Sequence, residues 1–152
     1  MNASEPADTT QERAAAMPRA SLPPTAWDRE VEHEWPDVRI DRVEVQRATD
    51  CASLAVVRAG LFLGRLLPPD VTVELTIEEK VERPQGCESC ERMWTSRTYE
   101  NGSYQFEAHV PIARVVGARR MAVHVRPARP GADDRPRLER VTDVSLTRMR
   151  AE

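Results

Sequence analysis

The fold class predicted by this sequence is mainly β: an immunoglobulin-like antiparallel sandwich of about seven strands, with one short N-terminal helix. Three observations carry it. First, Val71, Val73, Leu75 and Ile77 are apolar while Thr72, Glu74, Thr76 and Glu78 between them are polar. That period of two buries one face of a strand and wets the other. Second, further short runs of strand-forming residues follow one another, separated by turn residues such as Pro68-Pro69-Asp70 and Asn101-Gly102. Third, helical spacing is confined to a short segment near the start. A flattened barrel is the competing architecture, and no internal repeat is visible.

Residues 1–24 are small, polar and punctuated by proline, the composition of a disordered leader. A helix is expected over 25–36. Thr25-Ala26-Trp27-Asp28 has the Thr-x-x-acid form of a helix start. Trp27, Val31 and Trp35 recur at four-residue spacing, and Pro36 disfavours helical backbone at Trp35. Such a helix is too short to stand alone. Its apolar edge must dock on the module's own sheet or serve a partner.

The sandwich is assigned to 37–150. Val38-Arg39-Ile40 and Val43-Glu44-Val45 alternate with a change of parity at Asp41-Arg42, the mark of a bulge. Leu54–Leu63 is apolar on both faces, as a central strand is. Pro68-Pro69-Asp70 then closes a tight turn into Val71–Ile77. Met93–Tyr99 and Ser103–Val110 flank Asn101-Gly102, a dipeptide suited to positive φ in a hairpin. Met121–Val125 and a segment within Leu138–Leu146 complete the set, with a Pro/Arg/Gly loop, Pro127–Pro136, between them.

Composition narrows the function classes. Lys and Arg total 22 against 25 Asp and Glu, a net charge of −3. A nucleic-acid binder would carry a basic excess to neutralise phosphates, so nucleic acid is not expected as a partner. No apolar run reaches the ~18 residues of a membrane span, and the start lacks the basic and apolar regions of a secretory signal. Three cysteines, an odd number, argue against a secreted disulfide framework. The expected location is cytoplasmic.

The ordered series EVEHEWPDVRIDRVEV, RAGLFLGRLLPPDVTVEL and GSYQFEAHVPIARVVGARRMAVHVRPARP resembles the C-terminal β-domain of bacterial α-glucan (glycogen-type) phosphorylases. In that family a helix ending in Trp-Pro leads into a strand. A hairpin of the form Leu-Gly-x-Leu-x-Pro-x-Asp-Val-x-Val-Glu-Leu follows, here Leu63, Gly64, Leu66, Pro68, Asp70, Val71, Val73, Glu74 and Leu75. A Gly-x-Tyr strand reaching Val-Pro comes next, here Gly102, Tyr104, Val110 and Pro111. The resemblance covers roughly Trp27 to Arg150. It implies a domain without the family's catalytic body. No segment matches the cofactor-lysine motif, and Lys80, the only lysine, is not assigned that role.

The resemblance therefore implies a non-catalytic accessory module, acting in binding or assembly with a glucan-metabolising, phosphorylase-like enzyme or with glucan itself. An unrelated interaction module, organised by zinc at Cys87 and Cys90, is the alternative. Cys87-Glu88-Ser89-Cys90 supplies half of a tetrahedral site, but Cys51, His33, His109 and His124 are not at ligand spacing. Its preceding Pro84-Gln85-Gly86 says loop rather than a redox helix N-terminus, and a loop that happens to hold two thiols is preferred. No cofactor is expected, and zinc is not favoured. Trp94, Tyr99 and Tyr104 cluster around the Asn101-Gly102 turn, where aromatic rings suit sugars. However, Tyr104 shares a face with Phe106, and Trp94 is opposite in parity to Tyr99, which favours packing. If glucan is bound directly, Trp94 and Tyr99 are the residues to carry it. Trp27, Val31 and Trp35 are the corresponding candidates for a protein partner. No nucleophile, base and orienting group can be assembled from the sequence.

Overall fold

The computed structural model describes residues 24–80, 89–129 and 138–146. Helix α1 spans Pro24–Glu34, and a single 3-10 turn over Trp35–Asp37 turns the chain out of it. Pro36 is the reason for the change, since an α conformation before proline clashes with its ring. Eight strands follow among the described residues: β1 Arg39–Arg47, β2 Leu54–Phe62, β3 Val71–Glu79, β4 Ser89–Arg92, β5 Trp94–Thr98, β6 Ser103–Pro111, β7 Ala118–Pro127 and β8 Arg140–Asp143. A short helix, α2, spans Ile112–Val116. None of the described helices is long and apolar enough to cross a membrane.

The strands form two antiparallel four-stranded sheets, ordered β1-β2-β6-β5 and β4-β3-β7-β8. These correspond to the A-B-E-D and C′-C-F-G sheets of an immunoglobulin-type sandwich. The eighth strand, against about seven expected, is the C′ equivalent β4. It exists because the chain changes sheets at Met93. Ser89–Arg92 pairs with β3, the buried Met93 bonds its N–H to the Val73 carbonyl, and from Trp94 onward the chain pairs with β6. The expected strand Met93–Tyr99 is thus β5, and the segment before it, expected as loop, supplies β4.

The stretch from Leu54 to Ile77 also needs correction. β2 and β3 lie in different sheets, so the Leu63–Asp70 segment is an inter-sheet crossover rather than a hairpin turn. Leu63 and Leu66 are fully buried within it, Gly64 adopts φ +63°, and Pro68–Asp70 forms a 3-10 turn. The expected bulge in β1 is present, as a register shift between Ile40 and Arg42. Asn101 and Gly102 both adopt positive φ, in a three-residue loop over Glu100–Gly102.

The core is the overlap of the two inner faces. Ala55, Val57, Ala59 and Leu61 of β2 and Tyr104, Phe106, Ala108 and Val110 of β6 meet Val71, Val73, Leu75 and Ile77 of β3 and Met121, Val123 and Val125 of β7. The outward set of β2 is Val56, Arg58, Gly60 and Phe62, and that of β6 is Gln105, Glu107 and His109. Because β2 and β6 are the two central strands of their sheet, this outer face is broad and set by a rigid scaffold.

Candidate functional site

Helix α1 belongs to the fold. Trp27, Val31 and Trp35 are 1, 1 and 2% exposed and join the core. Trp27 Nε1 donates to the Asp70 carboxylate at 3.1 Å, and the same carboxylate accepts the Leu67 amide at 2.8 Å. Arg129 lies 5.0 Å over the Trp27 ring. Arg140 of β8 donates to the Val38 carbonyl at 2.8 Å and to the Trp35 carbonyl at 3.2 Å. The expectation that this apolar edge serves a partner is therefore corrected. A short amphipathic helix is stable only when docked, and the crossover supplies both an apolar seat and a buried acceptor.

Of the two C-x-x-C thiols, Cys90 is among the described residues. Cys87 lies outside the described residues. Cys90 sits on β4 rather than in a loop, opposite Thr76, and its Sγ lies 3.1 Å from Glu74 Oε2. Among the described residues no group of three or more His, Cys, Asp and Glu is placed to hold a metal ion. His109 and His124 lie on different sheets and so on opposite outer faces of the sandwich. Arginines of β7 are engaged locally: Arg119 with Glu78, Arg120 with Asp143, Arg126 with Glu74.

One hydroxyl–imidazole–carboxylate chain was not legible in the sequence. Thr76 Oγ1 lies 3.0 Å from His124 Nε2, and His124 Nδ1 lies 2.8 Å from Glu139 Oε1. Its order is that of a hydrolytic triad, but Thr76 is not placed as a nucleophile is. The Thr76 hydroxyl already donates to the Ala122 carbonyl at 3.3 Å, and Thr76 lies mid-ladder, paired with Cys90 on one side and Ala122 on the other. Backbone N–H groups committed to ladders on both sides cannot form an oxyanion hole, the largest single contribution in acyl transfer. The cluster ties β8 to β7 and β3.

The outer face of the β1-β2-β6-β5 sheet is different. Trp94 lies opposite Glu107 and Thr95 opposite Phe106, but Arg97 lies opposite Gln105, so Ser96 is an extra residue. That bulge reverses the parity of β5. Trp94 and Tyr99 consequently project from the same face, although their spacing in the sequence sets them on opposite ones. They are 48% and 42% exposed, whereas Tyr104 faces the core. The positions opposite them on β6, Glu107 and Ser103, are four residues apart, about 13 Å at ~3.3 Å per residue.

Polar groups fill the space between the two rings. The Trp94 ring meets His109 edge-on at 5.1 Å, and His109 Nε2 is 3.7 Å from Glu107, which in turn pairs with Arg58 at 3.0 Å. Tyr99 Oη donates to Gln105 Oε1 at 3.4 Å, and Gln105 Nε2 donates to Ser96 Oγ at 3.1 Å. Beside Tyr99 the face dips into an open hollow of about 130 Å³, bordered by Arg42, Glu44, Arg58, Gly60 and Gln105. Exposed rings held by neighbours, with hydrogen-bonding groups between them, suit ligands that are apolar on their faces and polar at their rims.

Comparison with known proteins decides the family. Residues 35–145 match the model of the glycogen phosphorylase C-terminal domain. The chain belongs to this family. The family match begins at the Trp35-Pro36 exit of α1 and takes in all eight strands. No curated protein matches the chain, and no solved structure does. Within this glycogen phosphorylase C-terminal domain, the Asp of the Leu-Gly-x-Leu-x-Pro-x-Asp element has a physical role: Asp70 closes the crossover through Leu67 and receives the helix through Trp27.

Proposed function

We propose that this chain acts as a non-catalytic accessory module that binds α-glucan on the outer face of the β1-β2-β6-β5 sheet, beside an enzyme that works on the same polymer. The observation that carries this reading is the bulge at Ser96, which places the half-exposed Trp94 and Tyr99 on one face with polar side chains between them. Sugar rings present apolar C–H faces that stack on aromatic rings and hydroxyls that take up the polar groups around them. Membership of the glycogen phosphorylase C-terminal family supports glucan as the polymer. The mid-ladder position of Thr76, with strand pairing on both sides, supports the non-catalytic part.

Co-sedimentation with glycogen tests the binding. The parent protein should pellet with the polymer, and Trp94→Ala and Tyr99→Ala should each weaken binding about tenfold while leaving the thermal transition in place, since both side chains are solvent-facing. Failure of the parent to pellet, or binding indifferent to both substitutions, would refute the reading. Assayed with glycogen, orthophosphate and added pyridoxal phosphate, the protein should release no glucose 1-phosphate.

A further inference from the structure

The hollow beside Tyr99 exists because β2 carries Gly60 at an outward position. Its neighbours on that face are Arg58 and Phe62, and the residues opposite it are Arg42 on β1 and Gln105 on β6. Any side chain at residue 60 would fill the space between them. A glycine in the interior of a central strand weakens it, and such a glycine often marks a place where a ligand or another backbone comes close. The groups around the gap are charged yet balanced. Arg42 is 3.9 Å from Glu44, Arg58 is 3.0 Å from Glu107, and the neighbouring Arg39 is 2.7 Å from Asp41. Each of these arginines has a carboxylate beside it.

We infer that this hollow is a hexose subsite of the proposed glucan face, specific for a neutral sugar residue within a chain rather than for a sugar phosphate. The inference rests on the glucan-binding reading above. A pyranose stacked on Tyr99 sets its rim hydroxyls over the hollow. Each hydroxyl both donates and accepts, so it can address a guanidinium and its carboxylate together. A phosphate carries about −1.5 to −2 charge at neutral pH and is chiefly an acceptor. It would be repelled by Asp41 and Glu44, or would have to break an existing ion pair. At about 130 Å³ the hollow is too small to enclose a ligand, for which ~300–1,000 Å³ is usual. It takes part of one ring and leaves the chain free to run on. The separation of about 13 Å along β6 between the positions opposite Tyr99 and Trp94 exceeds one pyranose, so engaging both aromatics requires an oligosaccharide.

Gly60→Val tests this without disturbing the fold. A Cβ at residue 60 meets the nearest atom, Arg42 Cγ, at an ordinary 3.4 Å, and valine favours strands. Binding of maltoheptaose is measured by calorimetry, and contacts are mapped by amide chemical shifts. The expected result is that Gly60→Val weakens maltoheptaose at least tenfold at unchanged melting temperature. Shifts in the parent should include Gly60, Gln105 and Tyr99, and orthophosphate or glucose 1-phosphate at equal concentration should not compete. Maltoheptaose binding that survives Gly60→Val but is lost in Trp94→Ala overturns the subsite and leaves the glucan face standing. Absence of binding in the parent overturns both. Competition by orthophosphate overturns the neutral-sugar specificity.

Discussion

Removing the Asp70 carboxylate should detach α1 from the sandwich, and the size of the effect follows from what the carboxylate holds. Asp70 is 1% exposed and accepts from Trp27 Nε1 at 3.1 Å and from the Leu67 amide at 2.8 Å. In Asp70→Ala the indole N–H of Trp27, itself 1% exposed, has no acceptor and no water. Leaving such a donor unsatisfied costs about 1–3 kcal/mol. Leu67 is 42% exposed, so water replaces its lost partner in part, and that bond contributes about 1 kcal/mol. The expected loss is about 3 kcal/mol in total. Urea unfolding followed by tryptophan fluorescence and by circular dichroism measures it. With a slope of about 1.5 kcal/mol/M the midpoint should fall by about 2 M. A double-mutant cycle with Trp27→Phe isolates the link, since contacting pairs show coupling of about 0.5–3 kcal/mol. A loss below about 0.5 kcal/mol, or strictly additive single substitutions, would refute the view that this carboxylate seats the helix.

The two core tryptophans should respond differently to truncation. Trp35 Nε1 is buried without a hydrogen-bond partner among the described residues, so Trp35→Phe relieves an unmet donor as it loses packing, a net change of about 1 kcal/mol or less. Trp27→Phe removes a hydrogen bond to the buried Asp70 carboxylate and should cost about 2 kcal/mol; equal losses in urea unfolding would contradict the assignment. Gly102→Ala should destabilise by about 3 kcal/mol, from its φ of +82° and from a Cβ driven into the Gly64 carbonyl, with thermal denaturation as the readout. The Cys51 thiol is held below the usual range, first by its hydrogen bond to the Ser53 hydroxyl at 3.3 Å and then by the Ser53 backbone. A lowered pKa keeps the thiolate present to lower pH, so iodoacetamide labelling of Cys51 should show a midpoint below that of an ordinary thiol, and Ser53→Ala should raise it. Elemental analysis should find zinc well below one equivalent, and Cys90→Ser should leave metal content unchanged; a stoichiometric metal lost in Cys90→Ser would restore the Cys87–Cys90 site.

The sequence by itself determined the local elements and their exposed sides. Alternation in β3 and β6 is a property of neighbouring residues, because successive side chains in a strand must point to opposite faces. The bulge at Asp41 shows as a change in that alternation, and Pro36 marks the end of α1 through a clash within one dipeptide. Only the tertiary structure decided which strand pairs with which. Leu63–Asp70 carries the same turn residues whether it folds back within a sheet or crosses to the other, and burial of Leu63 and Leu66 between the sheets selects the crossing. Met93 changes sheets because its amide finds the Val73 carbonyl, a partner twenty residues away in the chain. The candidate site shows the same division. Trp94 and Tyr99 are conspicuous as residues, but their shared face depends on the extra residue at Ser96, where Thr95, Ser96 and Arg97 give no apolar alternation to reveal it. Gly60 looks like a weak point in a strand until Arg42, Arg58 and Gln105 are seen around it. Periodicity records what a residue needs from water and from a core, and it is silent on partners that only folding brings together.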